Sequence, residues 1–170
     1  MKAKIKKIKV FVCDVDGVLT DGKIIYKSSG GQLKHFDVKD GLGLYLLKKA
    51  GLRTAIISAR GSRVVRLRSR DFKADKLYLN ASPKIDSYKK LKRYFKVKDE
   101  EVCFMGDDLP DLQVMKNVGF AACPKDAVAE IKREANYVAK RQGGRGAVRE
   151  VAELILKTKG LWKKVVSRYL

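Results

Sequence analysis

At 170 residues with 45% apolar side chains, the chain has material for one domain with a proper core and little for a second. No apolar run approaches bilayer-spanning length, and three cysteines, each within an apolar stretch, suit buried reduced thiols and a cytoplasmic protein, not a disulfide framework. The formal charge of +20 admits a nucleic-acid surface, but the basic residues are spread out with no arginine-rich tail or aromatic platform, which favours a solvated exterior that also steers anionic substrates.

The basic segment MKAKIKKIK has no long apolar core or cleavage site, so no signal peptide is read there. Val10, Phe11, Val12 and Cys13 form a short apolar run that predicts a strand buried on both faces. Asp14 and Asp16 follow it, and Gly17 then breaks the pattern. Open α/β sheets place ligands at the carboxyl ends of their strands. Two carboxylates spaced i, i+2 there can face one hard cation, which takes oxygen ligands. A lone D-x-D is more often a solvated acidic loop; the longer string DVDGVLTDG (14–22) tips the balance to chemistry.

Ile24–Tyr26 and Gln32–Phe36 flank SSGG and predict a β-hairpin beside that site, turning at Gly30-Gly31. Asp40 is expected to cap a helix running to about Ala50, with Leu44 and Leu47 inward and Gly51 just beyond. A second buried strand is expected over Thr54–Ser58, a helix over about Arg63 to Arg70, and a strand over Lys76–Leu79. Tyr88, Leu91 and Phe95 recur at helical spacing after Ile85. Val102–Met105 reads as another buried strand, followed by GDDLPD (106–111). Capping and a solvated turn explain one aspartate there but poorly explain three, which repel unless a cation sits among them.

Leu112, Met115 and Val118 mark a short helix, Phe120–Cys123 and Tyr137–Val138 further strands, and Ala127 to Glu134 the helix between them. Val148, Val151, Ala152 and Ile155 give an amphipathic helix before Gly160. The alternation predicts an α/β fold: a single-domain, doubly wound, Rossmann-like parallel sheet over 1–160 with a projecting β-hairpin. In the remaining segment, 161–170, Trp162, Val165, Val166 and Tyr169 share a helical face, suiting either a packed terminus or docking to another subunit.

The string that starts at Asp14 resembles the first motif of the haloacid dehalogenase superfamily, whose commonest members are Mg²⁺-dependent phosphatases. The resemblance implies that Asp14 attacks phosphorus and that Asp16 is the acid/base. Ser58, at a strand end, matches the second motif and would bond a phosphoryl oxygen; alone, such a serine is more often a helix cap. Lys84, before an amphipathic helix, matches the third, and only its place in the order makes one lysine informative. GDDLPD matches the fourth. It implies Asp107 as a metal ligand beside Asp14 and the backbone oxygen of Asp16, Asp108 holding a metal water, and Asp111 orienting Lys84 or waters.

About forty residues separate Asp14 from Ser58, and fewer than thirty separate Ser58 from Lys84, so no cap domain fits. FDVKDGLGL (36–44), ISAR (57–60) and GGRGAVREVAELIL (143–156) resemble the 3-deoxy-D-manno-octulosonate 8-phosphate phosphatase family. That family is capless and homotetrameric, its subunits closing one another's sites, and it serves lipopolysaccharide synthesis. Its substrate contacts fall on Asp16, Asp37, Val38, Lys39, Asp40, Gly41, Arg60, Arg68 and Lys84. An arginine fork suits the sugar carboxylate, although surface solubility also accounts for Arg60 and Arg68; for Arg145, contact with a carboxylate or phosphate and a helix-leading turn explain the flanking glycines equally well.

Three positions depart from the family pattern. ISAR replaces the usual ITGR, Asn80 stands where a glycine is common, and Tyr45 replaces an arginine of the substrate pocket, which puts the sugar in question. The implied function is a Mg²⁺-dependent phosphatase for a keto-sugar acid phosphate acting through an aspartyl phosphate. A nine-carbon keto-sugar acid phosphate is the nearest alternative. A nucleic-acid 3′-end phosphatase and a non-catalytic binding protein rank lower.

Overall fold

The computed structural model describes residues 1–169; Leu170, the end of the segment 161–170, lies outside the described residues. Six parallel strands form the central sheet: β1 (Val10–Cys13), β4 (Arg53–Ile57), β5 (Lys76–Tyr78), β6 (Val102–Met105), β7 (Phe120–Cys123) and β8 (Tyr137–Val138). Two further short strands, β2 (Ile25–Tyr26) and β3 (Gln32–Leu33), pair antiparallel as the predicted hairpin. Gly30 and Gly31 turn it with φ of 84° and 89°.

The order β5-β4-β1-β6-β7-β8 means that the chain steps from β1 outward to β4 and β5, then returns to build the other half. The reversal falls at β1, the topological switch point where open α/β sheets bind ligands. Side chains along β1 alternate between two cores, as a pleated strand requires. Phe11 and Cys13 join the layer of α1 (Lys2–Lys7), α2 (Val38–Lys49), α3 (Arg63–Asp71), α7 (Ala147–Thr158) and α8 (Trp162–Val166). Val10 and Val12 join that of α4 (Lys84–Phe95), α5 (Leu112–Met115) and α6 (Ala129–Glu134). The helices thus cover both faces of one sheet with no cap, as predicted.

Three local differences from the sequence reading have physical causes. α1 was not anticipated; its single buried apolar residue, Ile5, gives no periodicity to read. α2 begins earlier than expected, because Asp37 is its cap and accepts from the Lys39 N–H at 2.8 Å. Asp40 is instead a fully buried residue inside the first turn. In the tail, α8 packs against α2 and α7 and buries Val165, whereas Tyr169 stays exposed. The three cysteines are buried and free, and no helix among the described residues is long and apolar enough to cross a membrane.

Candidate active site

The site follows from strand register. Cys13 pairs with Ile56 of β4 on one side and Met105 of β6 on the other, so the three strands end within one residue of one another. The next residues are then neighbours in space: Asp14 after β1, Ser58 after β4, and Asp107 after β6 and Gly106. The Asp14 N–H extends the ladder to the Met105 carbonyl at 3.0 Å. Lys84, the first residue of α4, places Nζ 2.8 Å from Asp14 Oδ2 and 2.6 Å from Asp111 Oδ1. The other oxygen of Asp111 accepts from the Asp107 N–H at 3.1 Å. Asp111 therefore joins the Lys84 ammonium to the loop that carries Asp107.

These residues line a cavity of about 340 Å³ together with Asp16, Gly22, Ile24, Arg60, Asp108 and Pro110. A larger hollow of about 580 Å³ lies at the opposite ends of the strands, beside Lys9, Arg53 and Lys159, and lacks any convergent carboxylates. Concavity alone does not mark the chemistry here; the carboxylates do.

Carboxylate oxygens of Asp14, Asp107 and Asp111 lie within 4.8 Å of one another. Lys84 engages Asp111, but Oδ1 of Asp14 and Oδ1 of Asp107 are buried without a hydrogen-bond partner. Burial, then repulsion from Asp111, pushes the Asp14 carboxyl up to about 7 despite Lys84. Burial, then Asp14 and Asp111, pushes Asp107 up to about 8. Burial opposes the charge on Lys84, yet the two carboxylates prevail and hold its pKa above the ordinary value. Two buried, orphaned oxygens on mutually repelling carboxylates form a donor set that fits a hard divalent cation. Gly17 makes room for it: with φ of 86°, it lets the Asp107 carboxylate occupy the space a Cβ would fill.

The loop after Asp14 is held by Thr20, a fully buried residue that the sequence reading passed over. Its hydroxyl donates to the Val15 carbonyl at 3.3 Å and accepts from the N–H groups of Gly17 and Gly22. Sequence reasoning also missed Lys34. It follows β3 and puts its ammonium on Asp16 Oδ1, an ion pair that joins the hairpin to the site. One lysine among 39 basic residues carried no signal that could have singled it out.

The remaining expected positions divide. Ser58 is buried at the cavity wall, its Oγ accepting from the Arg60 N–H at 3.3 Å, and Arg60 is exposed at the rim. Asp108 is exposed and caps the turn Leu109–Asp111 through the Leu109 N–H at 2.8 Å. Asp37, Val38, Lys39, Asp40, Gly41 and Arg68 do not line the cavity of the single chain. Asp40, expected at the substrate, turns its carboxylate inward and accepts from the N–H groups of Gly146 at 3.2 Å and Arg149 at 2.8 Å. Arg68 stacks on Phe72 (4.3 Å) and Phe36 (5.7 Å), with Nε buried and unpartnered. Asn80 adopts φ of 55°, a left-handed conformation that asparagine tolerates, so the departure from glycine leaves the backbone path intact.

A family model described as haloacid dehalogenase-like hydrolase matches residues 52–151. The 3-deoxy-D-manno-octulosonate 8-phosphate phosphatase KdsC of Yersinia pestis is 39% identical over 149 residues, covering 88% of this chain and 80% of that protein. The KdsC of Escherichia coli K12 is 37% identical over 158 residues, covering 93% of this chain and 84% of its own length. Among solved structures, the Moraxella catarrhalis 3-deoxy-D-manno-octulosonate 8-phosphate phosphatase, in complex with magnesium, phosphate and a KDO molecule, superposes with a TM-score of 0.97. It is 36% identical, with 99% of this chain and 97% of that one covered.

Proposed function

Because the chain belongs to the haloacid dehalogenase-like hydrolases, alongside the 3-deoxy-D-manno-octulosonate 8-phosphate phosphatases, we propose that it hydrolyses that eight-carbon keto-sugar acid phosphate with Mg²⁺ as cofactor. One observation carries the reading: Asp14, Lys84, Asp107 and Asp111 converge at the ends of adjacent parallel strands, with two carboxylate oxygens left unpartnered.

In this reading Asp14 is the nucleophile. Its carboxylate oxygen bonds to phosphorus as the bond from phosphorus to the sugar oxygen breaks, and Asp16 gives that oxygen a proton. Asp16 then takes a proton from a water, which attacks the aspartyl phosphate and frees Asp14 and inorganic phosphate. Lys84 offsets charge between nucleophile and phosphoryl group, and Asp111 holds Lys84 in place. Ser58 is within the cavity to bond a phosphoryl oxygen, and Arg60 at the rim suits the sugar carboxylate. Asp14, Asp107 and the backbone oxygen of Asp16 would hold the Mg²⁺, which when bound lowers the repulsion between carboxylate and phosphoryl oxygens. Asp108 would meet its water.

We assign catalysis to residues 1–160 and treat 161–170 as an appended tail. The finer expectation, a homotetramer, is supported by what the single chain leaves open. Tyr26 of the hairpin and Leu67 of α3 line one groove, and Ile25, Leu33 and Val38 are also exposed apolar residues. Arg68, Asp37, Val38, Lys39 and Gly41, which lie off the cavity, would serve a neighbouring subunit's site. Three reduced buried thiols favour the cytoplasm, and the sugar acid implies a role in lipopolysaccharide synthesis.

The test is a panel of phosphorylated sugar acids, assayed with Mg²⁺ and with chelator, on the wild type and Asp14→Asn. Turnover of the eight-carbon substrate is expected with Mg²⁺ and abolished by either change. Preference for a nine-carbon acid would reassign the sugar, and full activity in Asp14→Asn would reject the mechanism.

A further inference from the structure

Lys34 lies outside all four motifs, yet it is the hairpin's contribution to the site. Its side chain is 1% exposed, and its ammonium rests on Oδ1 of Asp16, which is 20% exposed. A lysine head group taken out of water needs a partner, and the pair it makes is with the candidate acid/base. The geometry is fastened from both ends. A single β-bridge joins Thr20 to Phe36, tying the loop after Asp16 to the residues that follow Lys34. Thr20 also holds that loop through the N–H groups of Gly17 and Gly22.

We propose that Lys34 is a positioning residue for the acid–base step. By occupying Oδ1 it sets the direction of the Asp16 carboxyl group and leaves Oδ2 as the oxygen that faces the leaving group. The inference rests on the phosphatase reading above and deepens it.

The alternative positions for Asp16 explain why such a device is needed. The site already gathers three carboxylates, two of them assigned to one cation, and a fourth acidic side chain free to swing would be drawn to the same ion. Lys84 offers no competing anchor, because Asp14 and Asp111 already take its ammonium at 2.8 and 2.6 Å. The hairpin lysine pulls Asp16 to the opposite side, so its backbone and side chain can serve separate tasks. In the first half-reaction the proton on Oδ2 goes to the departing sugar oxygen as the Asp14–phosphorus bond forms. Lys34 keeps its own protons throughout.

The test compares kcat/KM of Lys34→Met with wild type on three phosphate esters: the sugar acid phosphate, an alkyl phosphate without a carboxylate, and p-nitrophenyl phosphate. An alkoxide needs protonation to leave, whereas the nitrophenolate does not. The expected loss is on the order of 10²-fold for both alkyl esters and less than about threefold for the aryl ester. Lys34→Arg, which keeps a cation on Oδ1, should recover part of the alkyl activity. Equal losses on all three esters, no loss, or a loss confined to the sugar acid would overturn the assignment; the last would make Lys34 a carboxylate-binding residue instead. If Lys34→Met does not fold, the same alkyl-to-aryl ratio is read on Lys34→Gln. A wild-type protein that hydrolyses none of the three with Mg²⁺ would instead remove the phosphatase reading itself.

Discussion

Lys84 reaches Asp14 with its ammonium 2.8 Å from Oδ2, and its side chain is 2% exposed. A cation so placed touches the proposed nucleophile directly, and it is held from behind by Asp111 at 2.6 Å. Replacing it with methionine removes charge compensation in the reaction and leaves two buried carboxylates facing each other. Lys84→Met is expected to lower kcat by about 10³-fold and to destabilise the protein by about 3–5 kcal/mol. Because the stability cost belongs to the stranded partner, adding Asp111→Asn should restore part of it without restoring turnover. Urea titrations of the two single variants and the double would show this as strong non-additivity; additive losses would mean that the pair is not coupled.

Metal removal has a signed pH dependence. Asp14 and Asp107 are pushed up to about 7 and about 8, chiefly by burial and then by neighbouring carboxylates, while unfolded aspartates ionise near their ordinary value. Between those limits the folded chain keeps protons that the unfolded chain releases, so stability falls as pH rises through the window. Asp40, raised to about 6 by burial despite the N–H groups of Arg149 and Gly146, adds in the same direction. In chelator the thermal midpoint should drop by about 5 °C or more from pH 5 to pH 8. Mg²⁺ should recover most of the loss at the upper end, and Asp107→Asn should both flatten the profile and erase that recovery. A midpoint that holds or climbs over this range in chelator contradicts the electrostatic account.

The elements that the sequence announces are those whose physics is local. β1, β6 and β7 are unbroken apolar runs, and their observed limits match the expected ones at Val10–Cys13, Val102–Met105 and Phe120–Cys123. The aspartates of GDDLPD stand out because three like charges on one turn need an explanation. What stayed hidden depends on distant partners. The sequence offers Asp40 as a helix cap, and only the start of α7, over a hundred residues away, decides that it turns inward. Lys34 is distinguished from other lysines solely by a hairpin that folds back on Asp16.

Asp40 offers a direct discrimination between the two roles considered for it. If it serves Gly146 and Arg149, Asp40→Ala strands two N–H groups at the start of α7 and should cost about 2–3 kcal/mol. Asp40→Asn keeps one acceptor and should cost less. Denaturant midpoints would move in both variants, with KM little changed in Asp40→Asn. A large rise in KM at unchanged stability would restore Asp40 to the substrate.

Two glycines set the distance between Asp107 and the loop after Asp14. At Gly17 the Asp107 carboxylate occupies the Cβ position and φ is 86°, so Gly17→Ala must strain the backbone and push the carboxylate aside. Gly143 works from behind: an added Cβ there would run into the Gly17 carbonyl, which is backbone and cannot swing away. Gly143 is itself pinned, its N–H donating to Asp126 Oδ1 at 2.9 Å, so the motif-one loop is the part that must shift. Both substitutions should raise the Mg²⁺ concentration for half-maximal activity by about tenfold or more, although Gly143 does not line the cavity. Calorimetric titration of Mg²⁺ into each variant would read the same loss without substrate. Gly143→Ala binding Mg²⁺ as the wild type does would show that the glycine-rich turn does not support the metal site.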